Sequence, residues 1–430
     1  GIERIYDLAM RGKAGTTQLE VNAAGRPIRE LSRAEGVPGN DIVLTIDLHL
    51  QRKLSERLAQ EESGAAVLMD VHNGEILALA STPSYDPNEF SKGIPAGLWR
   101  TLVADHRHPL NNKAVSGTFA PGSTFKMMTA IAALEAGVIT PEQRVGCRGW
   151  VELGDAKFHC WKKGGHGPVD LIDGIKYSCD VYFYELARRV GIDKIAEVSR
   201  RFGLGQTIGI DLPNEKAGLI PTRAWKRATL GQPWAQGESL VNGIGQGYIT
   251  TTPLQLAVMT ARLVNGGYSV VPRLTRDLIS GRAVGERPVQ SWPQVGVSPQ
   301  IVNLVLRGMR AVVNDPRGTA FKARIIDKQN PQFAMGGKTG TAQVRRITEE
   351  ERRVGLRKPE QVPWRERDHA LFVGYAPVDD PRYAVAVVIE HGGGGSSVAA
   401  PIARDILHET LLRYRDRSDA PGTRVAERPA

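Results

Sequence analysis

Three short motifs occur in one order along this 430-residue chain, and they constrain its fold because distant segments must meet to use them. They are Ser123-Thr-Phe-Lys126, Ser178-Cys-Asp180 and Lys338-Thr-Gly-Thr341. A Ser-x-x-Lys tetrad arises by chance about twice in a chain of this length, whereas a Lys-Thr-Gly tripeptide arises in roughly one such chain in ten. Together the motifs predict an active site for acyl transfer, built around a serine nucleophile.

The first motif can supply the nucleophile and its base. A serine hydroxyl needs a base within hydrogen-bond reach, and a lysine serves when cations and desolvation disfavour its charged form. Apolar residues at helical spacing follow Ser123, which predicts a helix over about 124–136 that ends before Gly137. Because positions i and i+3 share a helix face, Lys126 is predicted to reach the serine oxygen. Taken alone, the tetrad fits an ordinary N-cap serine equally well.

The third motif lies in a glycine-rich segment, 336–344, which is typical of an edge strand. Missing side chains let a substrate backbone approach closely, and such an edge can bind a peptide as an added strand. The alternative is a solvated turn before a strand. The second motif is the least specific of the three, because Asp180 precedes apolar residues and is also typical of a helix N-cap.

The three motifs resemble the catalytic set of penicillin-binding proteins and class A β-lactamases. Residues from about 19 to 412 resemble the class B penicillin-binding proteins, of the elongation type called penicillin-binding protein 2. Asp180, where many relatives have asparagine, favours that type over the division type. Beyond the motifs, the segments that carry the resemblance are Gly117-Thr-Phe-Ala-Pro-Gly122, Gly164-Gly-His-Gly167, Gly209-Ile-Asp-Leu212, Trp225-Lys226, Gly243-Ile-Gly-Gln-Gly-Tyr248 and Thr252-Pro-Leu-Gln255.

The resemblance implies an α+β fold, the serine penicillin-recognising transpeptidase fold. An antiparallel sheet flanked by helices would lie beside an all-α part, preceded by a truncated β-rich pedestal. We expect a remnant of the N-terminal, dimerisation-type pedestal domain in 1–45, the penicillin-binding transpeptidase domain in 46–415 and a disordered tail in 416–430. The sequence predicts strands near 17–22, 28–31, 65–69, 75–80, 370–375 and 383–389, and helices near 124–136, 180–190, 193–202, 253–264 and 401–413.

The resemblance also implies roles for the motif residues. Ser123 would attack the penultimate carbonyl of a D-Ala-D-Ala stem peptide to form an acyl-enzyme, and Lys126 would accept the hydroxyl proton. Ser178 would relay a proton to the leaving D-alanine. Lys338 would hold Ser178 and the terminal carboxylate, while Asp180 completes the catalytic set with a role left open.

The same resemblance places substrate binding at Thr339, Gly340 and Thr341. The two threonines would hydrogen-bond the terminal carboxylate, and the oxyanion would sit between the N–H groups of Ser123 and Thr341. An amine from a neighbouring strand would then release the acyl group and complete a cross-link.

Three functional hypotheses follow. The leading one is a D,D-transpeptidase that cross-links peptidoglycan during cell elongation and that β-lactam antibiotics acylate. A D,D-carboxypeptidase or β-lactamase of the same superfamily is the first alternative, disfavoured because no base for hydrolysis is recognisable. The third is a non-catalytic module that senses penicillin or serves as a scaffold. Members of the resembling type also act with a SEDS-family glycosyltransferase.

Cysteine usage suggests a metal site, because Cys147, Cys160 and Cys179 form the pattern C-x12-C-x5-H-x12-C with His166. Three thiolates and one imidazole are a typical ligand set for a closed tetrahedral zinc site. A disulfide with one free thiol, or buried cysteines acting as small hydrophobic residues, remain alternatives. Elongation-type relatives carry zinc in this part of the domain, so the resemblance implies a structural zinc held by the segment 142–180.

Charge and hydropathy bound the environment. A net charge of +10 favours contact with an anionic surface such as lipid head groups or acidic envelope polymers. Nucleic acid is disfavoured, because no recognisable nucleic-acid motif accompanies the charge. No apolar stretch reaches the roughly 20 residues of a membrane span and no leader opens the chain. The resemblance therefore predicts a fragment without its anchor, from a protein with a single-pass anchor in the inner membrane and a periplasmic catalytic domain.

Overall fold

The computed structural model describes residues 1–279, 291–345, 348–354 and 361–415. The predicted disordered tail, 416–430, lies outside these ranges. Inside them the chain forms a five-stranded antiparallel sheet with helices packed against it, a helical part and a small N-terminal module. The α+β class predicted from the sequence is confirmed.

The central sheet has the strand order β11-β12-β13-β4-β5, with every neighbouring pair antiparallel. Each residue of β4 and β13 is buried, which fits their continuous apolar sequences and shows that both faces of the sheet are covered. The predicted strands are confirmed, and β11 lies at one edge as expected. The bounds are β4 Gly64–Asp70, β5 Ile76–Thr82, β11 Gly336–Ala342, β12 His369–Ala376 and β13 Tyr383–Ile389.

Two pairs of helices cover the sheet. The helices α3 and α16 contact each other and pack on strands of the sheet, and so do α13 and α14. Asp47 caps α3 by accepting hydrogen bonds from two backbone N–H groups, and Thr252 forms a capping box with Gln255 on α13. The bounds are α3 Leu48–Leu58, α13 Pro253–Val264, α14 Pro299–Asn314 and α16 Ala400–Arg413.

The helical part is built around α7, whose first eight residues are buried. Helices α9, α10 and α14 pack against it. Its C-terminus is stopped by Gly137, whose φ of +63° suits glycine and whose N–H donates to the Leu134 carbonyl oxygen. The helices of this part are α7 Lys126–Glu135, α8 Leu171–Lys176, α9 Asp180–Val190, α10 Ile192–Arg201, α11 Arg223–Leu230 and α12 Gln236–Gly243.

Two small two-stranded sheets lie between α7 and α8. In the outer sheet β6 pairs with β9, and between these strands the chain forms a hairpin in which β7 pairs with β8. This segment has half-buried strands and no share in the central sheet. The bounds are β6 Val145–Cys147, β7 Trp150–Leu153, β8 Ala156–His159 and β9 Gly167–Val169.

The N-terminal module is mostly exposed. Its strands β1 and β2 pair only with each other, while β3 pairs with β10 from the main body. The two strands predicted near 17–22 and 28–31 are confirmed. The bounds are α1 Ile2–Ile5, α2 Asp7–Met10, β1 Thr16–Val21, β2 Pro27–Ala34, β3 Asp41–Leu44 and β10 Thr275–Ile279.

Short helices complete the chain: α4 Asn88–Ser91, α5 Ala96–Ala104, α6 Lys113–Ser116 and α15 Glu349–Val354. Across the described ranges, no helix has the length and apolar character to cross a bilayer.

Candidate active site

The edge strand β11 carries the third motif against the core. Lys338 pairs with Val373 of β12 and its side chain is fully buried. A β-carbon at Gly340 would lie 3.0 Å from the carbonyl oxygen of Pro121 and 2.9 Å from Thr124 Cγ2. Because Gly340 has no side chain, the turn that carries the first motif can pack directly against β11. The sequence suggested a different reason, close approach of a substrate backbone.

That turn is a 3-10 helix, Gly122–Phe125, and the α-helix begins only at Lys126. Gly122 has a φ of +52°, and a β-carbon there would lie 2.5 Å from the Thr341 carbonyl oxygen. Both the positive φ and the close contact with Thr341 require a glycine at this position. Ser123 is half-buried and lines a cleft, so the turn presents the serine beside β11.

Lys126 is fully buried and reaches across to the second motif. Its Nζ donates to Asp180 Oδ1 at 2.7 Å, to the Ser178 carbonyl oxygen at 2.9 Å and to Ser178 Oγ at 3.2 Å. In the described part of the chain, Ser123 Oγ has no hydrogen-bond partner, so the predicted lysine–serine bond is absent from this arrangement. Catalytic contacts of this kind often tighten only when substrate binds.

Asp180 is the first residue of α9, and Cys179 occupies the N-cap. The alternative that Asp180 is the N-cap is therefore wrong. Its carboxylate pairs with Lys126 and also accepts a hydrogen bond from the Trp161 backbone N–H at 2.9 Å. A helix N-terminus favours a negative charge, so this position suits a counter-ion for the buried lysine.

Ser178 connects the two lysines. Its Oγ accepts from Lys338 Nζ at 2.8 Å and from Lys126 Nζ at 3.2 Å. A hydroxyl has two acceptor lone pairs and one proton, so this proton remains free to donate to a third group. Ser178 has a φ of +53°, a strained conformation for a non-glycine residue. Trp161 Nε1 donates to its carbonyl oxygen at 3.2 Å and helps to hold it.

Lys338 has an unusual electrostatic environment. Complete burial, and then the neighbouring Lys126 ammonium, hold the pKa of Lys338 well below its ordinary value, while Asp180 opposes the shift. Its Nζ also donates to the Thr339 carbonyl oxygen at 3.0 Å. The two lysines and Ser178 form one continuous path along which a proton can move.

Thr341 presents its backbone to the cleft. Its carbonyl oxygen accepts from Gln246 Nε2 at 3.0 Å, on the side away from β12. Residues of an antiparallel pair either exchange both backbone hydrogen bonds or neither, so the Thr341 N–H also faces outward. That direction is the one the predicted oxyanion site requires. Thr339 Oγ1 lies 2.9 Å from Thr319 Oγ1, which adds a second hydroxyl to the carboxylate-binding end.

A cleft of about 550 Å³ joins these groups. Sequence reasoning missed several of its residues, since no local pattern marks Trp161 or Thr319, and Gln246 appeared only inside a family-like segment. The cleft is lined by Ser123, Lys157, Phe158, His159, Cys160, Trp161, Ser178, Asp180, Tyr184, Ile244, Gln246, Thr319, Thr339, Gly340, Thr341, Gln343, Asp368 and Ser396.

The predicted metal ligands also come together. The ligand atoms of Cys147, Cys160, His166 and Cys179 all lie within 4.8 Å of one another, and the three cysteines are buried free thiols. His166 Nδ1 is 3.6 Å from the sulfurs of both Cys147 and Cys160. Tetrahedral zinc, with Zn–S near 2.3 Å and Zn–N near 2.0 to 2.1 Å, requires a sulfur–nitrogen separation of about 3.5 to 3.6 Å.

The chemistry of this thiol cluster favours a cation. Hydrogen bonds with Cys160 and Cys179 lower the pKa of Cys147, whereas hydrogen bonds with Cys147 and Cys160 raise the pKa of Cys179. Three thiolates cannot share this small space without a positive charge between them. The His166 ring stacks on Tyr177 at 5.7 Å, which fixes its orientation. The residues present therefore fit zinc.

The thiol cluster surrounds the second motif. Cys179 lies between Ser178 and Asp180, and Cys160 immediately precedes Trp161. Trp161 in turn donates hydrogen bonds to the carbonyl oxygen of Ser178 and to the carboxylate of Asp180. Any group that ties these cysteines together also restrains the catalytic loop.

Comparison with known proteins identifies the family. A model of the penicillin-binding protein transpeptidase domain matches residues 64–408, and a model of the penicillin-binding protein dimerisation domain matches residues 1–44. The chain belongs to the penicillin-binding protein transpeptidases, with the fold predicted from the resemblance.

Named relatives point to one branch of that family. Peptidoglycan D,D-transpeptidase MrdA of Haemophilus influenzae is 40% identical over 413 residues, which cover 95% of this chain and 62% of the relative. This chain thus spans less than two thirds of that relative's length.

Solved structures agree with this placement. Pseudomonas aeruginosa PBP2 in complex with WCK 5153 is 39% identical with a TM-score of 0.80, covering 96% of this chain and 81% of that one. A structure described as structural coordination of polymerization and crosslinking by a peptidoglycan synthase complex is 34% identical with a TM-score of 0.78, covering 97% and 70%.

Proposed function

We propose that this chain is the catalytic part of an elongation-type peptidoglycan D,D-transpeptidase that works through an acyl-enzyme on Ser123. One observation carries the proposal: Ser178 Oγ accepts hydrogen bonds from both Lys126 and Lys338 in the cleft that Ser123 lines. The family and the named relatives support the same reading.

In the first step Ser123 Oγ bonds to the penultimate carbonyl carbon of a D-Ala-D-Ala stem peptide, and its proton passes to Lys126, which acts as the base in its uncharged amine form. The three acceptors around Lys126 Nζ suit the ammonium form that results. The oxyanion accepts hydrogen bonds from the N–H groups of Ser123 and Thr341. Removing one such donor typically costs about 2.7 to 4 kcal/mol of transition-state stabilisation.

The intermediate collapses when the bond to the leaving D-alanine nitrogen breaks. Ser178 donates its free proton to that nitrogen and regains one from Lys126, which lies within hydrogen-bond reach. Thr339, Thr341 and the buried Lys338 bind the terminal carboxylate. An acceptor amine then attacks the ester, and the same path runs in reverse to release Ser123.

Transpeptidation is favoured over hydrolysis by the state of the carboxylates. Of the residues that line the cleft, two are acidic, Asp180 and Asp368. Asp180 is engaged by Lys126 and by the Trp161 backbone, and Asp368 lies past the end of β11, beyond Thr341, so neither is placed to activate a water molecule at Ser123. This argues against a β-lactamase or carboxypeptidase, which need a base for water.

The thiol cluster would hold one structural zinc ion through Cys147, Cys160, Cys179 and His166. All four positions would come from protein side chains, which leaves no place for a catalytic water. Zinc would tie the four ligand residues to one another, and these residues would thereby position the Ser178–Asp180 loop.

Partners and location follow from the same reading. We propose that β-lactams acylate Ser123 and that the full-length protein works with a SEDS-family glycosyltransferase. The related synthase complex that couples polymerization to crosslinking supports such a pairing. The catalytic domain would lie in the periplasm, held by a single anchor in the inner membrane.

The test is the fate of the acyl group. The protein is incubated with an Nα,Nε-diacetyl-L-Lys-D-Ala-D-Ala donor and deuterated D-alanine, and products are followed by mass spectrometry. We expect deuterated exchange product that requires Ser123 and that dominates over the hydrolysed dipeptide. Hydrolysis alone would indicate a carboxypeptidase, and no acyl transfer from folded protein would favour a sensing or scaffold role.

A further inference from the structure

The cleft extends beyond the catalytic groups to a second carboxylate, that of Asp368. This residue immediately precedes β12, whose first residue, His369, pairs with the last residue of β11, Ala342. Asp368 therefore lies just past the end of the edge strand. Gln343 and Ser396 line the cleft beside it.

The Asp368 carboxylate forms no salt bridge among the described residues. Its one hydrogen bond comes from the Val344 backbone N–H at 3.3 Å. The nearby guanidinium of Arg345 is committed to Glu351, which it contacts at 2.8 and 2.9 Å. Burial raises the pKa of Asp368, and the Val344 N–H and the charges of Arg345 and His391 only partly oppose that shift. A positive charge supplied by a ligand would relieve that cost.

The backbone at Asp368 is held in a defined place. The Asp368 carbonyl oxygen accepts from the Gly393 N–H at 2.8 Å, and His369 Nδ1 accepts from the His391 N–H at 2.9 Å. These bonds attach Asp368 and His369, the first residue of β12, to the loop that follows β13. The backbone that carries Asp368 is thus held in place beside the cleft.

Charge is distributed unevenly along the cleft. Lys338 and Lys126 are buried behind the cleft wall and donate to Ser178, which lines the cleft where the terminal carboxylate and the scissile bond of a donor peptide would bind. Asp368 lies at the far end of β11, beyond Thr341. Because a strand rises about 3.3 Å per residue, Gln343 is about 7 Å along the edge from Thr341. A peptide added along this edge would place the residue before its D-Ala-D-Ala pair near Asp368.

We propose that Asp368, flanked by Gln343 and Ser396, binds the side-chain ammonium group of the donor-peptide residue that precedes the D-Ala-D-Ala pair. This inference rests on the proposed function and adds a determinant of donor specificity. The donor is the better candidate than the acceptor, because an acceptor amine must arrive uncharged beside Ser123, whereas a carboxylate favours the charged form.

The test compares two donor peptides that differ only in charge. Nα-acetyl-L-Lys-D-Ala-D-Ala carries a free ammonium group, and the Nα,Nε-diacetyl peptide does not. Each competes against labelling of Ser123 by a fluorescent penicillin, which reports binding without requiring turnover. We expect the wild type to bind the ammonium peptide about five- to tenfold more tightly, with a preference that weakens as salt is added.

Asp368→Asn keeps an acceptor for the Val344 N–H and removes the charge. It should bring the two peptides to equal affinity, while its thermal unfolding midpoint stays near that of the wild type. Glu366→Gln removes a neighbouring exposed charge that does not line the cleft and should keep the wild-type preference.

Three results would overturn the inference: no preference in the wild type, a preference that survives in Asp368→Asn, or no competition by either peptide. A wild type that penicillin does not label would instead refute the proposed function, so the two failures are distinguishable.

Discussion

The two walls of the cleft are built differently. One, the sheet wall, consists of β11 and the 3-10 turn Gly122–Phe125, and it is part of a five-stranded sheet inside the main core. The other, the hairpin wall, consists of residues 145–180, with two small two-stranded sheets, half-buried strands and the thiol cluster. Backbone pairing and apolar burial stabilise the sheet wall, whereas the hairpin wall depends on a few side chains.

Because of this difference, the two walls should respond differently to substitutions. The sheet wall places Lys338 on a buried, paired strand, at the cost of burying an amine that donates to Ser178 and Thr339. The hairpin wall places Ser178 in a strained conformation that Trp161, the thiol cluster and Asp180 must hold. Changes in the first wall should alter chemistry without loosening the structure, and changes in the second should do both.

The largest effect is expected from Lys338→Met in the sheet wall. Acylation by penicillin should fall by about 10² to 10³-fold, the usual contribution of one group that stabilises the transition state electrostatically. Stability should instead rise, because methionine removes a buried amine. Stopped-flow labelling and denaturant titration measure the two quantities.

The gain in stability expected for Lys338→Met should change with pH in one direction. The pKa of Lys338 is lowered from 10.5 in the folded state, so the unfolded chain binds more protons between that lowered value and 10.5. The stability of the wild type therefore rises with pH across this window. The advantage of Lys338→Met should be largest at the low end and shrink toward pH 10.5. The exposed control Lys53→Met should show no such trend, and an equal trend in both would contradict the account.

The second effect concerns the hairpin wall and the zinc ion proposed for it. Cys179→Ser is expected to lose zinc, measured by atomic emission, and to acylate about 10- to 100-fold more slowly, as for other groups that orient a site through a metal. Chelation of the wild type should give the same loss, and added zinc should restore the wild type but not the variant. Unchanged metal content and acylation rate would show that the two walls do not differ in this way.

The smallest effect is expected from Trp161→Phe. The variant loses the indole N–H bonds to the carbonyl oxygens of Tyr177 and Ser178, each worth roughly 1 kcal/mol. Acylation should slow by about three- to tenfold. Trp150→Phe changes a tryptophan of the neighbouring hairpin that does not line the cleft and should have little effect. Equal rates in the two variants would mean that the indole does not hold Ser178.

The sequence predicted the sheet wall well. Continuous apolar strands and the glycine-rich segment 336–344 carry local signals, so the edge strand and its neighbours were found in the right places. The helix after Ser123 was also predicted, but its first turn is 3-10. Close packing of Gly122 and Gly340 against each other's segments sets that geometry, and such packing is invisible to helical periodicity.

The hairpin wall was predicted only in outline. The cysteine spacing and the resemblance grouped Cys147, Cys160, His166 and Cys179, and the structure shows these side chains close together, but nothing local marks Trp161. The pairing of Lys126 with Asp180 was missed because helical spacing directed the lysine to Ser123. Contacts between segments far apart in sequence depend on the assembled core, so they emerge only in the structure.

The most direct measurement of the central claim is the intact mass of the protein after exposure to a penicillin, for the wild type and for Ser123→Ala. We predict an adduct of one penicillin on the wild type, mapped to Ser123 and stable for hours, with no adduct on the variant. Rapid loss of the adduct, an adduct on Ser123→Ala, or no adduct on folded wild-type protein would contradict the account.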